Sequence, residues 1–224
     1  MYTGIIAGKD LPDLSLADDC REESIPAFAP VSERYAEATG HAPPPSLVLG
    51  PGINLLEQWK LCDHVYLIFD GLVKRTYASE NGTKVAMGLR SSGWYAGATS
   101  VLLNIPSVYS AITLGNCTVS QIPAKQFFRW ATHDAKTLRH FLKSVCLDST
   151  SQARLHAEIN SSSATERLEH FMQERTAMAP QWKTMDPLPL LKQGELAQLL
   201  SVTPEHLSRM RQQQRRHRAF ERAS

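Results

Sequence analysis

Between residues 46 and 123, apolar residues occur in short runs that are separated by turn residues. The runs cover residues 47–49, 65–69, 72–78, 84–89, 107–114 and 118–122. Asn81-Gly82 is a strong hairpin signal, because both residues adopt positive φ readily. Six short strands at this spacing predict an antiparallel barrel or sandwich. Residues 54–60 interrupt the pattern, and we expect a helical turn there.

A long helix is predicted after the strands, over residues 137–159. Seven positions on one face of this helix follow one another at alternating steps of four and three residues: Leu138, Leu142, Val145, Ser149, Gln152, His156 and Ile159. This spacing is typical of a coiled-coil seam, and so of a dimer interface, although a helix packed on its own barrel gives the same periodicity. The second half of the seam is polar, which favours an adjustable interface. Residues 160–163, Asn-Ser-Ser-Ser, predict a hinge before another helix that buries Leu168, Phe171 and Met172.

Residues 192–211 predict two short helices with a tight break between them. The first helix carries an apolar stripe of Leu196, Ala197, Leu199 and Leu200. Thr203 suits the N-cap of the second helix, and Pro204 suits its first position, where no N–H partner is lost. Leu207 and Met210 are three residues apart and pack back on the first helix. This is the pattern of a helix-turn-helix, and an ordinary helical hairpin with solvated polar faces gives it too.

The second helix of this pair leaves Glu205, His206, Ser208 and Arg209 facing outward. They offer an acceptor for base amino groups, a hydroxyl, and a guanidinium that suits guanine O6 and N7. The predicted set of DNA contacts is completed by flanking residues: Gln193, Thr203 and Arg211. We therefore expect double-stranded DNA as a partner.

Charge is unevenly distributed in a chain of 224 residues whose net charge is only +2. Residues 1–45 hold eight acidic and three basic residues, and we expect an N-terminal arm with a short helix within residues 32–39. Residues 209–224 hold six Arg and one Glu. A basic end directly after a base-reading helix fits phosphate neutralisation, although such a run is more often a solvated tail.

Four cysteines are widely spaced without a CxxC pair: Cys20, Cys62, Cys117 and Cys146. The chain shows no signal peptide and no apolar run of membrane-spanning length, so we expect a cytoplasmic protein with reduced, mostly buried thiols. A thiol-based redox sensor is the alternative.

Enzyme motifs are missing from the sequence. The eight His are scattered, no HxH is followed by Glu in the strand region, and neither GxSxG nor a phosphate loop occurs. We expect no catalytic residue and no metal site. The rivals are a cupin-like metalloenzyme and a dimeric interaction or anti-activator module that no longer binds DNA.

The order and size of these parts resemble the Crp/Fnr family of bacterial transcription regulators. The local matches are YLIFDG (66–71), SENGTK (79–84), SGWYAG (92–97), and Glu195, Gln198, Glu205 and Arg209. The resemblance covers residues 46–211. It implies an α+β fold with a β-roll sensor domain (46–130; a double-stranded β-helix like that of cyclic-nucleotide-binding domains), a dimerisation helix (131–160) and a C-terminal winged helix-turn-helix domain (161–224).

The sensor half departs from the nucleotide-binding members of that family. Gly97 is followed by Ala98 instead of Glu, and Tyr109-Ser110 stands where those members have Arg-Ser. Without that carboxylate and guanidinium two charge-assisted contacts are lost, so we expect neither cAMP nor cGMP to bind. We expect Trp94, Tyr95 and Tyr109 to line an apolar or aromatic pocket or to fill the core. The predicted effector pocket comprises Trp94, Gly97, Ala98, Tyr109 and Ser110, and its effector is unknown.

No cofactor is expected. Cys20 alone does not supply the N-terminal cysteine cluster of the iron–sulfur members. A lone His64 or Cys62 in a strand region is more often structural than a haem ligand.

The DNA-reading half has the E-x-x-S-R arrangement of the Fnr-like branch in Glu205, Ser208 and Arg209. The resemblance implies that Glu205 and Arg209 read C·G and G·C edges and that Ser208 contacts a thymine, on a half-site like TTGAT. It also implies a homodimer on a near-palindrome and RNA polymerase as a partner. The family's β-hairpin wing has no evident counterpart in RQQQRRHRAFERAS (211–224), which reads as a truncated end or as a tail that contacts the DNA backbone.

Overall fold

The computed structural model describes residues 44–178 and 190–221. Its strands are β1 (Leu47–Leu49), β2 (Asn54–Leu56), β3 (His64–Asp70), β4 (Val73–Ala78), β5 (Lys84–Arg90), β6 (Tyr95–Ala96), β7 (Ser110–Thr113) and β8 (Cys117–Pro123). They form two antiparallel four-stranded sheets, in the orders β1-β8-β3-β6 and β2-β7-β4-β5. The predicted antiparallel β domain is therefore present, as two facing sheets.

Six helices are described. They are α1 (Ala98–Leu103), α2 (Ala124–His133), α3 (Ala135–Ser161), α4 (Ala164–Met178), α5 (Gln193–Leu199) and α6 (Pro204–Glu221). Asp134 separates α2 from α3 and caps α3, because its carboxylate accepts hydrogen bonds from the Lys136 and Thr137 amides. Ser163 and Glu166 form a capping box at the start of α4. The break between α3 and α4 therefore lies within the predicted hinge, residues 160–163.

Each face of the first sheet packs against a different layer. Val65 and Leu67 of β3 lie in a cluster with α1, α2 and α3, including Phe127 and Phe141. Ile68, on the other face of β3, packs in the layer between the two sheets with residues that include Val73, Trp94 and Val119. The long helix is therefore attached to the β domain by its first half.

The second sheet carries the C-terminal helices on its outer face. Leu72, Ala86 and Leu89 share one buried cluster with residues of α4, α5 and α6, including Leu168, Phe171, Leu196, Leu199 and Leu207. Gln198 of α5 accepts a hydrogen bond from the Ala86 amide (2.8 Å) and donates one to the Lys84 carbonyl (3.0 Å). Lys74 of β4 pairs with Glu195 of α5. We call these two polar contacts, Lys74–Glu195 and Gln198 with β5, the docking contacts.

Some local predictions were wrong. Residues 54–56 form strand β2 instead of a helical turn, because Leu55 and Leu56 are buried and the segment pairs with β7. A turn follows only at residues 58–60, with Trp59 at φ 64°. The strand predicted from residue 107 begins at Ser110. Short elements β6 and α1 were not predicted.

The N-terminal arm predicted over residues 1–45 and its helix over residues 32–39 lie outside the described residues, apart from residues 44 and 45. Within the described ranges, no helix has the length and apolar character that crossing a membrane requires.

Candidate sensor core and recognition helix

The predicted effector residues fall into two different places in the β domain. Trp94 and Tyr109 meet in the layer between the sheets, where their rings stack at 6.4 Å with an interplanar angle of 28°. Ala98 packs instead in the cluster beneath the long helix. Gly97, at φ 87°, lets the chain turn into α1 where a Cβ would lie only 3.0 Å from the His64 carbonyl oxygen. Ser110 is half-buried, and its hydroxyl accepts a hydrogen bond from the Gln58 amide.

Two buried arginines, which no motif in the sequence marks, lie beside this aromatic pair. The Arg75 guanidinium carbon is 5.9 Å from the ring centre of Trp94 and 5.3 Å from that of Tyr109, within the range of cation–π attraction. Arg90 lies next to it, and both side chains are about 4–5% exposed. Asp148 of α3 is their shared carboxylate: it pairs with Arg90 Nε and lies 3.5 Å from Arg75 Nη1.

Electrostatics in this core follow from burial. Burial, and next the neighbouring Arg75 charge, lower the pKa of Arg90 to about 10, which leaves Arg90 protonated at neutral pH. Burial raises the pKa of Tyr109, and the Arg75 cation only partly offsets it. The core therefore carries more positive than negative charge at pH 7.

A β-bulge in β5 hid Arg90 from the alternation pattern. In β4, Arg75 shares the inward face with Val73. In β5, the register shifts so that Thr76 pairs with Ala86 but Arg75 pairs with Gly88. The extra residue reverses the alternation, so Ala86 packs with the C-terminal helices while Arg90 points between the sheets.

The two predicted helices of the C-terminal region are present as α5 and α6, joined by residues 200–203. Leu196, Ala197, Leu199 and Leu200 are buried. Leu207 and Met210 of α6 are buried in the same cluster, as their spacing predicts. Thr203 caps α6, because its hydroxyl accepts a hydrogen bond from the His206 amide (3.2 Å).

The polar residues predicted to read DNA lie on the free face of α6. Glu205, His206, Ser208 and Arg209 are exposed, on the side of α6 away from Leu207 and Met210. Hydrogen bonds from its own amide and from Thr203, at the positive end of the helix, lower the pKa of Glu205. This carboxylate is therefore ionised at neutral pH and available as an acceptor.

The flanking residues that were predicted to contact DNA differ in their exposure. Gln193 and Thr203 are exposed, and Gln193 donates a hydrogen bond to the Pro204 carbonyl (3.2 Å), so it bridges the two helices. Arg211 is half-buried. Glu195 and Gln198, which carried part of the family resemblance, make the docking contacts. In the described part of the C-terminal region, α6 continues to Glu221.

The seven predicted seam residues lie along one face of α3, where Leu138 packs partly against the β-domain cluster. Leu142, Val145 and Ile159 are 49%, 44% and 37% exposed, which is high for apolar side chains. Leu138 and Gln152 are half-buried, and Ser149 and His156 are exposed. The buried face of α3, by contrast, holds residues such as His140 and Phe141. The seven residues therefore form an open stripe beside the attached face, apolar at Leu142, Val145 and Ile159 and polar between Val145 and Ile159.

The cysteines are less buried than expected. Cys117 is buried and Cys62 half-buried, and burial raises the pKa of both thiols. Cys146 is exposed on α3. Cys20 lies outside the described residues. Within the described ranges, no group of three or more His, Cys, Asp or Glu is arranged to hold a metal ion.

Comparisons with known proteins agree with this architecture. Residues 47–134 match the family model of the cyclic nucleotide-binding domain. No curated protein matches the sequence. Among solved structures, FixK2 from Bradyrhizobium japonicum is 15% identical, with 77% of this chain and 85% of that chain covered and a TM-score of 0.64.

Two further structures are similar. CLP, the c-di-GMP responsive global regulator of Xanthomonas campestris, is 13% identical over 77% of this chain and 86% of that chain, with a TM-score of 0.62. TTHA1359, a CRP/FNR family transcriptional regulator from Thermus thermophilus, is 14% identical over 77% and 87%, with a TM-score of 0.58. At these identities the likeness shows the fold. Residues 47–134 thus form a cyclic nucleotide-binding-type domain, in a chain whose structural neighbours are Crp/Fnr family regulators.

Proposed function

We propose that this protein is a sequence-specific DNA-binding transcription regulator that acts as a homodimer and carries an effector-sensing β domain. The observation that carries the proposal is the exposed polar face of α6. Glu205, Ser208 and Arg209 stand on a helix that Leu207 and Met210 anchor from behind. A recognition helix needs a rigid support and free hydrogen-bonding groups, and α6 has both.

In this proposal the E-x-x-S-R residues read the major groove. Arg209 donates two hydrogen bonds to a guanine, Glu205 accepts from a cytosine amino group, and Ser208 contacts a neighbouring thymine. The expected half-site is TTGAT-like. His206, Thr203, Gln193 and Arg211 then contribute to docking on the groove or the phosphates.

The open stripe of α3 supports the homodimer. Pairing two copies along Leu142, Val145 and Ile159 would bury side chains that are between about one third and one half exposed in the monomer. Two recognition helices in such a dimer would enter successive major grooves about 34 Å apart. The working division is an arm (1–45), the β domain (46–130), the dimerisation helix (131–160) and the DNA-binding region (161–224).

Removal of one side chain that is proposed to contact a base tests whether α6 binds DNA sequence-specifically. Selection of bound sequences from random duplexes, with the effector-free protein at one stated salt concentration, should recover a two-fold repeat of TTGA-like halves. Arg209→Ala should then weaken binding to that site by about 1–3 kcal/mol, roughly 5- to 150-fold, because one base pair loses its partner. Arg129→Ala is the matched control, since Arg129 is exposed on α2 of the β domain.

One observation keeps a second candidate open. In the described residues α6 runs helically through Glu221, in a region where the family has a wing. A dimeric interaction or anti-activator module without DNA binding fits that feature. Recovery of no sequence, together with equal behaviour of Arg209→Ala and wild type, would favour this module.

A further inference from the structure

Two neighbouring strands bring Arg75 and Arg90 together between the sheets. Val73 pairs with Arg90 and Arg75 pairs with Gly88, so the two arginines are diagonal neighbours on one face. Gly88 occupies the remaining position on that face and has no side chain. A Cβ there would lie 3.5 Å from both Arg75 Nη2 and Arg90 Nη1, which places both guanidiniums directly over this glycine.

The charges in this cluster do not balance. Two guanidiniums share one carboxylate, Asp148, and Arg75 contacts it only at 3.5 Å. Arg90 Nη1 donates to the Leu89 carbonyl (2.6 Å). Within the described residues, the remaining donors, Arg75 Nε, Arg75 Nη2 and Arg90 Nη2, are buried and make no hydrogen bond of good geometry, although Arg75 lies within reach of the Tyr109 hydroxyl. Buried guanidinium donors left in this state are costly, and a further anion would satisfy them.

We propose that Arg75 and Arg90 form the binding site for the anionic group, a carboxylate or a phosphoryl group, of a small-molecule effector. The Trp94–Tyr109 stack forms the aromatic wall of this site, since Arg75 lies over both rings. Guanidiniums suit this task because their paired N–H groups match two oxygens of an oxyanion. In this site the positive charge comes from Arg75 of β4 and Arg90 of β5. It does not come from position 109, where the nucleotide-binding members have Arg and this chain has Tyr.

This inference rests on the proposed function, because it names the chemical class of the signal. Asp148 gives the site a connection to the dimer seam. It is the carboxylate that an incoming anion displaces from the guanidiniums, and it precedes the seam residue Ser149 on α3. Anion binding therefore competes with the attachment of α3 to the β domain at this point. A shift of α3 follows from that competition, and dimer geometry in turn biases anion affinity.

The test uses the full chain, with inorganic phosphate and acetate as probes at one fixed ionic strength. Thermal unfolding and titration calorimetry are compared for wild type, Asp148→Asn, Arg90→Met and the surface control Lys125→Met. An anion that binds the folded state raises the midpoint of unfolding. Asp148→Asn should bind the preferred anion about tenfold more tightly than wild type, because the competing carboxylate has gone. Arg90→Met should lose the effect, and Lys125→Met should retain it.

Each outcome decides the question. A stronger response to phosphate than to acetate identifies a phosphoryl ligand, and the reverse identifies a carboxylate. No stabilisation of Asp148→Asn by either anion, or equal affinity of Asp148→Asn and wild type, overturns the proposal. The comparison of Asp148→Asn with wild type remains decisive even if Arg90→Met does not fold. Arg209→Ala should retain anion binding, so a failure of DNA reading is separable from a failure of the anion site.

Discussion

Arg167 of α4 connects the hinge to the end of α5. Its guanidinium donates hydrogen bonds to the Leu200 carbonyl (2.9 Å), to the Ser162 carbonyl and, at 3.5 Å, to the Ser201 carbonyl. The last carbonyls of a helix have no partner within it, so a side chain that satisfies them fixes the helix end. Arg167 thereby holds the turn before α6 relative to the end of α3.

We expect Arg167→Ala to destabilise the folded chain by about 1–3 kcal/mol, because charged hydrogen bonds to three carbonyls are lost. Urea unfolding followed by circular dichroism measures this as a lower midpoint. Glu169→Ala, an exposed change on the same helix, should leave the midpoint in place. Equal midpoints for both variants would show that water replaces the guanidinium without cost.

The roles of single residues were predictable where they depend on neighbours in the sequence. The Thr203 cap and the burial of Leu207 depend on neighbours within a few residues, and the structure has both. The burial of Arg90 depends on a bulge in β5, and both arginines depend on Asp148, which is 58 residues from Arg90 in the chain. An arginine in a strand normally predicts a solvent-facing position, so these two were missed.

Among the elements, α3 carries exposed apolar side chains on which the proposed dimer depends. We expect Leu142→Glu to convert a dimer into monomers, because a charge would then be buried in an apolar seam. Sedimentation equilibrium of wild type and variant measures the mass. Thr150→Glu is the control, since Thr150 is exposed and its helical angle places it away from the seam. A monomeric wild type, or a dimeric Leu142→Glu, would contradict the proposed seam.

Element boundaries show where pattern reasoning ends. Long periodic segments such as α3 were predicted within about two residues, because one periodicity runs through the whole element. Residues 54–56 are too short to carry a periodicity, and pairing with β7 decides their conformation. Strand β6 has only two residues and depends on β3 beside it. Such segments take their structure from partners that are distant in sequence.

At the scale of the molecule, the docking contacts join the β domain to the C-terminal helices. Lys74 and Glu195 are 12% and 22% exposed as side chains. Burial opposes ionisation of Glu195, but hydrogen bonds from Lys74 and the Lys192 amide outweigh it, and the pKa of Glu195 is lowered. A lowered carboxyl pKa stabilises the folded state above the unfolded pKa, and this stability is lost as the pH falls through the folded pKa.

A double-mutant cycle measures this contact. We expect Lys74→Met and Glu195→Gln to show a coupling energy of about 1–2 kcal/mol at neutral pH in urea unfolding. The coupling should decline as the pH falls below the ordinary Glu value of 4.5, because Glu195 then takes up a proton. A coupling that stays constant as the pH falls would mean that ionisation of Glu195 does not contribute to this contact.

The cluster of Leu72, Ala86 and Leu89 with the C-terminal helices limits modularity. Regulators are often treated as interchangeable parts, in which a sensor from one protein is fused to a reader from another. Among the described residues, α4, α5 and α6 cover the outer face of β4 and β5. A chimera that exchanges residues 164–221 for an unrelated reader would therefore expose an apolar surface and leave Lys74 unpaired. A working chimera would need residues equivalent to Glu195 and Gln198 and matching apolar side chains in the exchanged segment, or a replacement of this face of the sheet as well.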